Sequence, residues 1–123
     1  MRQIKFRAWN KEEKIMSEPF TLWGITDGFI RFDEERLIFG FEDDVEVMQY
    51  TSLKDKNGKE IYEGDILLSP FKNHYLVEWD KEAVRFAFIG YGKILVKGHY
   101  PVWQFIKAYE VIGNIYENPD LLK

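Results

Sequence analysis

The chain has 123 residues, enough for one domain or for one small domain with an extension, and it is 46% hydrophobic and 31% charged, as globular proteins are. It has no cysteine, which excludes disulfides and Cys-ligated zinc and fits a reducing cytoplasm. The net charge of −4 disfavours non-specific binding of duplex DNA. No apolar run approaches the ~18 residues of a membrane helix, so we expect a cytoplasmic protein that does not contact membranes.

The first half of the chain alternates short strand patterns with turn signals. Residues 4–9 and 45–50 have the period of two that is typical of strands. Asp27 and Gly28 predict a hairpin turn ahead of a strand at 29–32, and another strand is predicted at 37–41.

Two turns are predicted in the middle of the chain. Asn57 and Gly58 both accept the left-handed conformation that a type I′ turn requires, so they predict a tight reversal. Gly64 permits a bend, and the Asp65 carboxylate can accept backbone N–H groups across that bend. We therefore assign all four residues a structural role.

The second half has regularly spaced short strands, which is typical of a small barrel or sandwich. These strands are predicted at residues 66–69, 75–79, 84–89, 94–96 and 111–116. Residues 101–109 are ambiguous between a helical turn and other structure, and Pro119 can open another helical turn that Asn118 caps.

The domain prediction follows from these patterns. Residues 1–50 form a β-hairpin region, and residues 51–123 contain the barrel and a C-terminal tail. Isolated hairpins are only marginally stable, so the hairpin region should pack on the barrel or on another copy of the chain.

Three segments together resemble the YopX family of phage and prophage proteins. They are IKFRAWN at 4–10, MQYTSLKDKNGKEIYEGDI at 48–66 and EVIGNIYENPDLL at 110–122. The resemblance implies a mainly β fold with an SH3-like barrel in its C-terminal part and with short helical turns at most. It implies no activity and no catalytic residues.

Two residues depart from the family pattern. Asn10 lies where the family usually has aspartate, and Ser52 lies where it usually has glycine. Serine adopts positive φ less readily than glycine, so Ser52 raises a question about the local turn geometry.

Acidic pairs are the candidates for chemistry. Glu63 with Asp65, or Glu78 with Asp80, could bind Mg²⁺ or divide acid and base work, but a bend and a solvated face explain them as well. Two histidines without cysteine make a poor zinc site. We expect no enzyme activity, no metal and no cofactor.

Aromatic residues are the candidates for binding. A barrel face could present a platform with neighbouring charge, formed by Tyr75, Trp79, Arg85, Phe86, Phe88 and Lys93. The alternative interpretation, that these rings fill the core of a small β domain, is favoured.

The functional prediction is a phage or prophage accessory protein that acts by binding or assembly through protein contacts. Its expected partners are other copies of the chain and an unidentified phage or host protein. The alternative is a single-stranded nucleic-acid-binding protein that combines stacking rings with lysines, a function that the acidic pI of about 5.2 disfavours.

Overall fold

A computed structural model describes residues 4–21, 29–30, 39–40, 45–82, 84–91, 99–100 and 103–122. Over these residues the chain is mainly β, which confirms the predicted fold class. The chain divides into two compact units, Met1–Tyr50 and Thr51–Lys123. Each unit is built from antiparallel strands.

In its described residues, the first unit contains four short strands and the beginning of a fifth. They are β1 (Phe6–Asn10), β2 (Ile15–Met16), β3 (Phe29–Ile30), β4 (Phe39–Gly40) and β5 (Val45–Lys54), of which residues 45–50 belong to this unit. β1 pairs with β2 on one side and with β5 on the other, and β3 pairs with β4. β1, β3, β4 and β5 overlap predicted strands, whereas β2 was not predicted. The predicted Asp27–Gly28 turn lies outside the described residues.

The turn between β1 and β2 depends on Asn10, which is only 2% exposed. Its Oδ1 atom accepts hydrogen bonds from the backbone N–H groups of Glu12 at 3.0 Å and Glu13 at 2.9 Å. The backbone N–H of Lys14, whose φ is 57°, donates to the Asn10 carbonyl at 2.7 Å. Asparagine therefore suffices at this position, because both bonds need only a side-chain oxygen acceptor.

The part of the second unit that the structure describes contains the end of β5 and six further strands. They are β6 (Glu60–Tyr62), β7 (Asp65–Leu68), β8 (His74–Asp80), β9 (Arg85–Tyr91), β10 (His99–Tyr100) and β11 (Glu110–Asn114). A curled five-stranded sheet has the order β10-β9-β8-β7-β11, and β6 pairs with β5. The predicted strand at 94–96 lies outside the described residues. That this unit is an SH3-like barrel stays a prediction.

Both faces of the five-stranded sheet are covered. One face carries an apolar cluster that includes Tyr75, Val77 and Phe88, over which Ile106 and Tyr109 pack. Ile106 lies in a 3₁₀ helix at Trp103–Ala108, and Tyr109 follows that helix. A helical turn was one of the alternatives predicted for this segment.

On the opposite face, three buried side chains (Ile66, Leu76 and Ile89) pack against the C-terminal segment. That segment includes a second 3₁₀ helix at Pro119–Leu122, which contributes Leu121 and Leu122. The backbone N–H of Leu121 donates to the Asn118 carbonyl at 3.1 Å, so the predicted helical turn after Asn118 is confirmed.

β5 contains an irregular residue where the sequence departs from the family pattern. Ser52 has a φ of 71°, in the left-handed region that favours glycine. The position therefore has the conformation that a glycine would adopt without strain.

Candidate functional site

The buried carboxylate of Asp55, which is 5% exposed, accepts hydrogen bonds from three backbone N–H groups. Its Oδ1 atom accepts from Asn57 at 2.8 Å and from Lys59 at 2.9 Å, and its Oδ2 atom accepts from Val111 at 2.9 Å. Two of these donors lie in the turn between β5 and β6, and the third lies in β11. One side chain therefore closes the turn and fastens it to a strand far away in the sequence.

The environment of Asp55 determines its charge. Burial alone would raise the pKa of this carboxyl, but the three backbone N–H bonds and the positive charge of Lys59 lower it below 3.8. The carboxylate is therefore ionised at neutral pH, when it acts as a hydrogen-bond acceptor and has no proton to give as a general acid.

The turn beside Asp55 differs from the predicted type I′ turn. Gly58 has a φ of 80°, but Asn57 is not among the described residues with positive φ. The backbone N–H of Gly58 donates to the Asp55 carbonyl at 3.0 Å, so the turn spans residues 55–58 with glycine in the left-handed position at its end. The type I′ prediction was wrong because the Asp55 carboxylate holds the N–H groups of residues 57 and 59 in this other geometry.

The Gly64–Asp65 corner joins β6 to β7. Gly64 has a φ of 83°; its N–H donates to the Val77 carbonyl, and its own carbonyl accepts from the Ile115 N–H, both at 2.8 Å. Asp65 is 1% exposed, and its Oδ2 atom accepts from the Tyr62 N–H at 2.8 Å. The carboxylate thus binds backbone across the bend, as the sequence predicts.

Asn114, at the end of β11, has the same kind of role. Its Oδ1 atom accepts from the N–H groups of Tyr116 at 3.0 Å and Glu117 at 2.8 Å. Its own backbone N–H donates to Asn118 Oδ1 at 3.2 Å. A side-chain Cβ at Gly113 would lie 2.5 Å from that Oδ1 atom, so this capped turn needs glycine for lack of space.

One acid of each candidate pair binds the backbone. Asp65 accepts from the Tyr62 N–H, and Asp80, at the end of β8, accepts from the Glu82 N–H at 3.1 Å. Among the described residues, no group of three or more His, Asp or Glu side chains could hold a metal ion. His74 is half-buried, and the side chain of His99 lies outside the described part of the structure.

Three rings of the possible aromatic platform are buried. Tyr75, Phe86 and Phe88 are 6%, 5% and 0% exposed, and Tyr75 and Phe88 belong to the apolar cluster that includes Ile106 and Tyr109. Their burial agrees with the interpretation that these rings fill the core. Arg85 is exposed, and Lys93 lies outside the described residues.

Trp79 is the ring of that set which reaches the surface. It faces the same side as Phe86 and contacts it edge to face, with ring centroids 5.0 Å apart and an interplanar angle of 75°, while 42% of the residue stays exposed. A shallow open depression of about 320 Å³ is lined by Trp79, Asp80, Lys81 and Glu82, which we call the Trp79 surface.

The lysines of the β5–β6 turn are partly neutralised. Lys56 pairs with Glu110 at 3.5 Å, and the charge of Lys59 acts on the Asp55 carboxylate. Lys54 is exposed at the end of β5. This turn is therefore a weaker basic patch than its three lysines indicate.

Asp55 is the residue that sequence reasoning missed. A signal was present, because an aspartate two positions before an Asn-Gly pair is well placed to accept backbone N–H groups in an Asx-turn. Its bond to Val111 had no local signal, since the two residues are 56 positions apart.

Fold and site together define a small, mainly β protein in which polar side chains at the turns bind the backbone. The chain belongs to the YopX protein family, whose family model matches residues 5–123. A crystal structure of protein EF1440 from Enterococcus faecalis is similar over 100% of both chains, with 31% sequence identity and a TM-score of 0.64. The search of curated proteins found no match. The helices in the described residues are short, and none is long and apolar enough to cross a membrane.

Proposed function

We propose that the protein is a non-enzymatic binding or assembly module that acts through protein contacts at the Trp79 surface. The observation that carries this proposal is the exposed Trp79 ring, held against the buried Phe86. Its partners would be a second copy of the chain, with a homo-oligomer as the working assembly, and a phage or host protein in the bacterial cytoplasm.

The geometry of Trp79 suits protein contacts. Tryptophan is enriched among the residues that contribute most to binding, particularly where they are well packed. The contact with Phe86 restricts the indole before any partner arrives, so less side-chain entropy is lost on binding. Both polar and apolar atoms line the adjacent depression, as in the mixed surfaces of non-obligate interfaces.

A non-enzymatic role is supported by the use of the buried acids. Asp55 and Asp65, the two buried carboxylates of the described residues, bind backbone N–H groups. A catalytic carboxylate must instead lie within hydrogen-bond reach of a substrate. We therefore assign these residues to the architecture, without a cofactor.

Single-stranded nucleic acid is the second candidate, with less support. Base stacking needs accessible rings, and three of the four proposed rings are buried. The Trp79 surface also contains two acids, Asp80 and Glu82, against one lysine, so it repels phosphate groups. Among the described members of that platform, Trp79 and Arg85 are exposed.

The test compares two exposed rings at opposite ends of β8. Trp79 is near the end of the strand, and Phe71, which is 87% exposed, precedes its beginning. We expect Trp79→Ala to shift the light-scattering mass of the purified protein towards the monomer at low micromolar concentration, and Phe71→Ala to leave it unchanged. A wild-type monomer, or equal effects of the two variants, would contradict assembly through Trp79.

Nucleic acid is tested separately by titrating tryptophan fluorescence with a single-stranded oligonucleotide at low salt. The protein-contact proposal expects no quenching. Salt-sensitive quenching that Trp79→Ala abolishes would favour the second candidate instead.

A further inference from the structure

Asn57 and Gly58 place a reactive pair at an exposed turn. Both residues are exposed, and a Cβ built on Gly58 would have no heavy atom within 4 Å. An asparagine side-chain amide can be attacked by the backbone nitrogen of the next residue, and glycine hinders that attack least because it has no side chain. Asparagine is accordingly among the thermolabile residues of proteins.

We propose that Asn57 is a site of spontaneous deamidation whose rate is controlled by the Asp55 carboxylate. The Gly58 nitrogen loses its proton to solvent and forms a bond to Cγ of Asn57, and the bond from Cγ to the side-chain nitrogen breaks, releasing ammonia. The resulting cyclic imide takes up one water and opens to aspartate or isoaspartate. The net reaction consumes water, releases ammonia and involves no oxidation or reduction.

The folded turn restrains this reaction at the attacking atom. The Gly58 N–H donates to the Asp55 carbonyl at 3.0 Å, so the proton that must leave before attack is held in a hydrogen bond. The Asn57 and Lys59 N–H groups on either side are both held by Asp55 Oδ1. Attack therefore requires the turn to open, and the deamidation rate should follow the population of the open turn.

The product would loosen the structure that restrained its formation. Isoaspartate routes the main chain through the former side chain and adds one main-chain carbon between residues 57 and 58. The N–H groups of residues 57 and 59 then cannot keep their spacing on Asp55 Oδ1. The aspartate product instead places a second negative charge beside the Asp55 carboxylate. Either product weakens the contact to Val111, because the same carboxylate makes it.

The test incubates the full-length protein in mildly alkaline buffer, folded and in urea, and measures deamidation of each asparagine by peptide mass mapping. Isoaspartyl methyltransferase, with radiolabelled methyl donor, detects the isoaspartate form. We expect modification at Asn57 and none at the buried Asn114, which is followed by isoleucine. The ratio of urea to folded rate should equal the hydrogen-exchange protection factor of the Gly58 amide within about threefold.

Asp55→Asn provides the second readout. Asp80→Asn, at the end of β8, is the matched control, because Asp80 also accepts a backbone N–H bond. We expect Asp55→Asn to accelerate the folded-state reaction by about tenfold or more, and Asp80→Asn to leave it unchanged. If Asp55→Asn fails to fold, the ratio of the urea to the folded deamidation rate in the wild-type protein tests the proposal by itself. Equal rates in folded and urea-treated protein, or a rate ratio more than about tenfold away from the protection factor, would overturn the proposal.

Discussion

The Oδ2 atom of Asp55 accepts a hydrogen bond from the backbone N–H of Val111 at 2.9 Å, across 56 positions of sequence. A second bond runs parallel to it, from the Lys56 N–H to the Tyr109 carbonyl at 2.9 Å. Together they fasten the β5–β6 turn to the beginning of β11, so two of the three segments that resemble the family meet at this carboxylate.

Asp55→Ala should destabilise the second unit strongly. It removes the acceptor of three backbone N–H groups, and hydrogen bonds to charged groups contribute about 1.5–3 kcal/mol each. We expect a loss of about 3–5 kcal/mol in the free energy of unfolding measured with urea. Asp80→Ala, which removes a half-buried carboxylate with one backbone N–H bond, is the control and should cost less than about 1 kcal/mol. Equal losses would contradict the assigned role of Asp55.

Stability should fall with acid through Asp55. Its folded pKa lies below 3.8, the value expected in the unfolded chain, so the stabilisation is fully present only above pH 3.8. It is lost as the pH falls below 3.8 and through the lower folded pKa, because the unfolded state then binds the proton more tightly. Urea unfolding of wild type and Asp55→Asn across this range measures the effect. The difference between them should shrink with acid, and a constant difference would be inconsistent with this linkage.

Stability should also fall with base through Tyr109. Burial, with the neighbouring Tyr75 and a hydrogen bond to it, raises the pKa of Tyr109 from 10.0 to about 12. The neutral phenol is therefore favoured in the folded state, and its contribution is complete below pH 10.0 and lost as pH rises to about 12. We expect a decline of at most about 2 kcal/mol, after allowance for solvent screening, that Tyr109→Phe removes. Circular dichroism of both proteins in alkaline urea would reveal it, and identical declines would refute the assignment.

Ser52→Gly should stabilise the protein by up to about 1 kcal/mol, because serine is strained at a φ of 71° and glycine is not. Ser52→Ala removes the hydroxyl but keeps the strain, so the glycine variant should be the more stable of the two. Their unfolding midpoints in urea give the comparison. If the alanine variant equals or exceeds the glycine variant, β5 does not have this conformation.

Gly113→Ala should destabilise the C-terminal turn by about 1–3 kcal/mol, because the new Cβ would lie 2.5 Å from Asn118 Oδ1. The cost should be smaller in an Asn118→Ala background, where that atom is absent, and a double-mutant cycle measures the coupling. Gly58→Ala is the contrasting control, since only its φ of 80° opposes the side chain. Additive costs at residues 113 and 118 would rule out the steric explanation.

Most strands could be predicted because their signals are local. β8 and β9 follow from the short runs at residues 75–79 and 84–89 with turn signals between them, and the Gly64–Asp65 corner follows from two residues with known turn preferences. Coverage of a sheet face is not a local property. Phe88 belongs to the core because the chain around Ile106 returns over it, and the pattern around Phe88 contains no sign of that return.

The prediction of a type I′ turn was wrong for a similar reason. Asn57 and Gly58 have the preferences of a type I′ turn, but the carboxylate of Asp55 binds N–H groups on both sides of Gly58 and selects a different geometry. The three hydrogen bonds of Asp55 outweigh the preference of the Asn-Gly pair. The bond to Val111 could not be predicted from the sequence around the turn, because Val111 is 56 positions away.

The most direct test of the account is an NMR titration of the Asp55 carboxyl carbon, with the exchange rate of the Val111 amide followed in the same samples. If the Asp55 carboxylate holds the backbone, the midpoint of its titration will lie below pH 3.8. The Val111 amide will then lose protection from exchange as Asp55 becomes protonated. A midpoint above 3.8, with Val111 exchange indifferent to it, would mean that this carboxyl is free for chemistry.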